Sequence, residues 1–85
     1  MAIFVVIPTR SDHKLQPVLA EHFPEQHYKL PQGEYLIQFS GTTQELSEKL
    51  GITGGENGTA VVAAISSYYG RAPADIWEWL KSRWS

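Results

Sequence analysis

The 85 residues make room for one domain and one core, and a chain this short buries only roughly two-thirds of the surface its unfolded form exposes. Hydrophobic residues at 42% and aromatic residues at 12% exclude a disordered chain. A net charge of −2, from 7 basic and 9 acidic side chains, creates no field that would gather phosphate backbones.

The run Ile3-Phe4-Val5-Val6-Ile7 is β-branched and aromatic, is apolar on both parities, and stops at Pro8. That pattern predicts a central strand buried on two faces. It is also about half the length of a secretory core, so it is read as a strand and not as a leader. Leu15, Val18, Leu19 and Phe23 follow at helical spacing, with Ser11 or Asp12 as candidate caps and Pro24 as the stop. Pro17 places the helix start near Lys14, where the missing N–H costs nothing.

His27 to Leu30 is a short extended piece, Gln32-Gly33 signals a turn, and Tyr35 to Phe39 alternates as a second, longer strand. The two make a hairpin. Thr42-Thr43-Gln44-Glu45 fits a capping box, and the helix it starts carries Leu46 and Leu50 and ends at Gly51, with Ile52 placed to fold back onto Leu46. After the loop Gly54 to Gly58, the apolar run from Thr59 to about Ser67 reads as a buried strand. It is far too short to span a bilayer. Pro73 suits a first helical position, and Ile76, Trp77, Leu80 and Trp84 form one stripe of a last helix, which leaves Trp79 outside it. Asp75 near its start and Lys81 and Arg83 near its end match the helix dipole.

The order β-α-β-β-α-β plus a helix is the α+β, ferredoxin-like split βαβ plan with an additional C-terminal helix, as a single domain over residues 1–85. Two-sided apolar strands demand a cover on the face away from the first two helices. Either the last helix or a second copy of the chain supplies it. The expected interface is Phe4, Val6 and Val62 on that face, with Tyr68, Tyr69 and Trp79 from the tail, the alternative being that Trp79 lies on the chain's own sheet or on the first helix. A homodimer is therefore expected.

The first strand, the hairpin end Glu34-Tyr35-Leu36-Ile37 and the closing Tyr69-Gly70-Arg71-Ala72-Pro73-Ala74-Asp75-Ile76-Trp77-Glu78-Trp79-Leu80 resemble small bacterial proteins of the CRISPR spacer-acquisition nuclease-like superfamily. The resemblance implies a ferredoxin-like fold and a dimer made through the sheets. In its nuclease members an Asp at the end of the first strand is the metal ligand, whereas Pro8-Thr9-Arg10 stands here and the first acid is Asp12. The resemblance thus implies a relative without that chemistry.

Other constellations have simpler structural accounts. Glu21, His22 and His27 lie near one another in sequence but at no recognised ligand spacing. Gly51-Ile52-Thr53-Gly54 has the form of a KH backbone clamp, yet a helix cap followed by a turn explains it. Ser66 and Ser67 lack a nucleophile-elbow context. Arg10, Lys14 and Arg71 can gather at one end of the sheet as an anion patch.

The absence of cysteine removes disulfides, thiolate metal sites and Cys nucleophiles, and fits a cytoplasmic setting. No metal and no cofactor is required. The expected function is a non-catalytic, homo-oligomeric interaction domain, with no membrane contact. The alternative is a nucleic-acid-binding, toxin–antitoxin or nuclease-related protein that uses the three basic residues, although the net charge does not indicate nucleic acid.

Overall fold

A computed structural model describes residues 2–67, 70 and 74–84. The elements are β1 (Ala2–Pro8), α1 (Leu15–His22), β2 (His27–Lys29), β3 (Tyr35–Phe39), α2 (Thr43–Lys49), β4 (Ala60–Ile65) and α3 (Ala74–Arg83). The four strands form one antiparallel sheet in the order β2-β3-β1-β4. This is the ferredoxin-like arrangement, with a C-terminal helix added.

Local chemistry sets the helix ends. Thr42 Oγ1 accepts from the Glu45 N–H at 3.1 Å, and Glu45 Oε1 accepts from the Thr42 N–H at 2.9 Å. The capping box is therefore complete. At the other end Gly51 has φ +75, the Ile52 N–H reaches the Ser47 carbonyl at 2.9 Å and the Gly51 N–H reaches Glu48 at 3.2 Å. These two bonds make a Schellman closure. A Cβ on Gly51 would collide with the Asn57 side chain, whose Nδ2 donates to the Leu50 carbonyl at 2.8 Å. Gly51→Ala combines left-handed strain of about 1–2 kcal/mol with displacement of Asn57. Urea unfolding should report at least the strain cost.

The start of α1 differs from expectation. Its N-cap is Lys14, which makes no side-chain cap bond, and neither Ser11 nor Asp12 caps it. His13 does so from one residue further out, with Nδ1 accepting from the Leu15 N–H at 3.2 Å. Pro17 lies in the first turn, where its missing N–H has no intrahelical partner to lose.

One face of the sheet packs under α1 and α2. Phe4, Val6, Tyr35 and Ile37 meet Leu15, Leu19, Phe23, Leu46, Leu50 and Ile52 there, and Phe39 stands edge-on to both Phe4 and Phe23 at 6.0 Å. Phe4 is 2% exposed and Val6 0%. This corrects the expected interface, because Phe4 and Val6 lie beneath the two core helices and Val62 packs against the same cluster. The pleat explains the reversal: both parities of β1 are apolar, so hydropathy alone does not say which one the helices cover.

The opposite face carries Ile3, Leu36, Tyr28 and Ile65, and α3 lies on it through Ile76, Trp79 and Leu80. Trp79 is 9% exposed and packs on the chain's own sheet, which corrects its place outside the core-facing stripe and in the interface. The buried stripe runs i, i+3, i+4 from Ile76, so it includes Trp79, while Trp84 stays 36% exposed. Trp79 packs on Tyr28, with ring centroids 6.0 Å apart, and the Arg83 guanidinium sits 4.8 Å from its ring. Polar bonds hold both ends of the helix. The Tyr28 hydroxyl donates to Asp75 at 2.7 Å, and Arg83 donates to the Glu25 carbonyl at 2.8 Å.

The Asp75 hydrogen bond, then desolvation, raises the Tyr28 phenol above its ordinary pKa, and burial raises that of Tyr35. A raised folded-state pKa means that the folded chain holds these protons where the unfolded chain releases them. Their contribution is complete below about pH 10, the unfolded value, and is lost as pH rises through the folded values. In an alkaline titration, tyrosinate absorbance from Tyr28 and Tyr35 should therefore lag that of a free tyrosine phenol.

Candidate interaction surface

The strand ends where β1 runs into α1 face the β2–β3 turn across an open cleft of about 370 Å³, lined in part by Thr9, Arg10, Ser11, His13, Gln32 and Glu34. Of the expected anion patch, Arg10 lies in this cleft and Lys14 is exposed at the start of α1. Arg71 lies outside the described residues, as do Tyr68 and Tyr69. Arg10 is already engaged: its Nε and Nη2 donate to the Asp12 carboxylate at 3.0 and 3.1 Å. That bond in turn holds the Asp12 carboxyl below its usual pKa. Both side chains are about two-thirds exposed, so the pair is a screened surface contact of little energetic weight.

Sequence reasoning passed over His13. Besides capping α1, its ring meets Tyr35 edge-on at 6.1 Å, and Tyr35 donates to Gln16 at 3.2 Å. A Cβ on Gly58, whose φ is +118, would approach His13 Cβ to 2.6 Å. The loop after α2 therefore closes directly on this histidine. A His two residues before the first apolar helical position was the available signal, but His is not a usual cap.

His22, His27 and Glu21 do not form a centre. No group of at least three His, Asp or Glu side chains comes together among the described residues. The Nδ1 of His27 is bonded to the Phe23 carbonyl, which makes it part of the turn after α1. Gly51 to Gly54 is the helix closure described above, and Ser66 and Ser67 are exposed just after β4.

A different surface stands out. On the α3 side, β1 presents Ile3, Val5 and Ile7, and β4 presents Ile65, Ala63 and Val61 in register beside them. Burial falls along this double row, from Ile3 at 3% to Ile7 at 41% and Val61 at 54%. The α3 contacts are with the Ile3–Ile65 end. The Ile7–Val61 end is open apolar surface, continuous with the outer edge of β4.

That edge also departs from the buried strand expected. The ferredoxin-like order places β4 outermost, hydrogen-bonded to β1 alone among the described strands. The Thr9 N–H donates to the Thr59 carbonyl at 2.9 Å in the same register. In an antiparallel ladder this turns the backbone groups of Val61, Ala63 and Ile65 toward β1, and those of Ala60, Val62 and Ala64 outward.

Comparison with protein-family models, curated proteins and solved structures returns no match. No helix among the described residues is long and apolar enough to cross a membrane.

Proposed function

We propose that this chain is a non-catalytic interaction domain that works as a homodimer through the β4 side of its sheet. The observation that supports this is the open Ile7–Val61 surface beside a strand, Ala60 to Ile65, that has no charge, no proline and no polar side chain. Soluble proteins guard such edges with lysine, proline, bulges or a cover. With α3 already seated on the far half of the same face, the interface expected at Phe4, Val6 and Trp79 moves to Ile7, Val61 and β4. The resemblance to sheet-paired dimers of the spacer-acquisition superfamily agrees with this reading and adds no catalytic residue to it.

Sedimentation of the wild type and of Val61→Lys tests it. The Val61 side chain is more than half exposed, so the lysine leaves the fold intact and weakens self-association at least about tenfold, or about 1.4 kcal/mol. A wild type that is monomeric throughout the micromolar range would overturn the proposal. The same reading predicts no retardation of RNA or DNA at low salt. A shift that Arg10→Ala weakens would favour the nucleic-acid alternative.

A further inference from the structure

The two edges of the sheet are built differently. The β2 edge is three residues long and carries His27 and Lys29, the short, charged form that discourages pairing. The β4 edge is six residues long and reads Ala-Val-Val-Ala-Ala-Ile, without one residue of that kind. Its outward backbone groups belong to Ala60, Val62 and Ala64.

From this we infer, on the homodimer reading above, that two copies pair β4 to β4 antiparallel, with Val62 on the two-fold axis. Three constraints lead to this register. Residues directly opposite each other in an antiparallel pair share a face, so the helix-covered faces of the two copies stay on one side only if paired residue numbers sum to an even value. The outward groups sit on even-numbered residues, so hydrogen-bonded pairs join even to even. Among the registers that remain, the one with Val62 opposite the partner's Val62 also joins Ala60 to the partner's Ala64 and Ala64 to the partner's Ala60. It thereby engages every outward group of the strand. A shift of two residues in either direction loses one of these pairs from the strand.

The occupant is a second copy because the strand is neutral and self-complementary. A charged or polar partner strand would gain nothing from Val61 and Ala63, whereas the chain's own β4 places Val61 beside the partner's Ala63 and joins the two apolar patches across the seam. The small side chains of Ala60, Ala63 and Ala64 present no bulk at the seam. The result is one antiparallel sheet of twice the strands, with both α1–α2 layers on one side and both α3 helices on the other.

Single cysteines test the register, since the chain has none of its own. Val62→Cys, Val61→Cys and Ala63→Cys are each oxidised mildly at a concentration where sedimentation gives the dimer. Across the axis, the two Val62 Cα atoms are about 5.5 Å apart, within disulfide range. The diagonal Val61 and Ala63 pairs are about 7–8 Å apart and fall outside it. The expected result is rapid cross-linking of the Val62→Cys dimer and slow or no cross-linking of the other two. Circular dichroism and sedimentation of each reduced variant verify that fold and dimer persist. If the dimer forms and position 61 or 63 cross-links fastest, β4 pairs in a register shifted by two residues and the Val62-centred register is overturned; if none cross-links, the β4 pairing is overturned and the homodimer stands. A monomeric wild type overturns both.

Discussion

Replacing Trp79 with alanine should cost about 3–5 kcal/mol, the range for truncating a buried large aromatic. The ring is 9% exposed and fills the space between α3 and the sheet, against Tyr28 and beneath Arg83. Its loss opens a cavity that Ile76 and Leu80 on the same helix cannot close. It also removes the surface on which the Arg83 guanidinium lies, and so loosens the bond from Arg83 to the Glu25 carbonyl. For a domain of this size each kcal/mol is worth roughly 4–8 °C in Tm, so thermal unfolding resolves the effect easily. A change below about 1 kcal/mol, the level of surface substitutions, would mean that α3 is not packed as described. The variant is a test of folding. A change in self-association without a change in stability would instead place Trp79 at the interface.

Phe4→Ala should cost a similar amount from the other side of the same strand, again about 3–5 kcal/mol. Phe4 stands between the helices and the sheet, 2% exposed and edge-on to Phe39. Its neighbours Val6, Leu19 and Ile37 are each 0% exposed, which leaves them little freedom to refill the space. Small domains hold about 5–15 kcal/mol in total, so this substitution removes a large share of the stability of the chain. Urea midpoints of Phe4→Ala and Ile7→Ala make the sharper comparison, because Ile7 is on the same strand but 41% exposed. The Ile7 variant should stay within about 1 kcal/mol of wild type in the monomer. Equal losses at both positions would contradict the assignment of faces.

Much of the fold could be read from the sequence where a local rule had one solution. Thr42 with Glu45 and Gly51 with Ile52 each closed an end of α2 as their spacing required, Pro8 and Gly33 punctuated the chain where the strands break, and Pro17 fell in the first turn of α1. The element order was enough for the ferredoxin-like topology. The faces were harder. Ile3 to Ile7 is apolar throughout, so nothing in the polarity of β1 separates Phe4 and Val6 from Ile3, Val5 and Ile7. Size was the unused clue: Phe4, Tyr35 and Phe39 share one face through the register of β1 and β3, and that is the thicker, two-helix side.

The last strand misled for a related reason. Ala60 to Ile65 has the composition of a buried strand, yet its position at the end of the split βαβ order puts it at the edge. Composition reports that a surface wants covering; topology decides whether the chain covers it. The same gap hid the candidate interface. Val62 was singled out for the wrong face, and Ile7 and Val61 were passed over because their exposure depends on how far α3 reaches along the sheet.

Amide hydrogen exchange across β4, followed as a function of protein concentration, tests the central claim most directly. The amides of Val61, Ala63 and Ile65 point to β1 and should be protected at every concentration at which the chain is folded. Those of Val62 and Ala64 point outward, and should be protected at concentrations that favour the dimer and exchange freely on dilution. Exchange of Val62 and Ala64 at the rate of exposed loops under all folded conditions would contradict pairing through this edge.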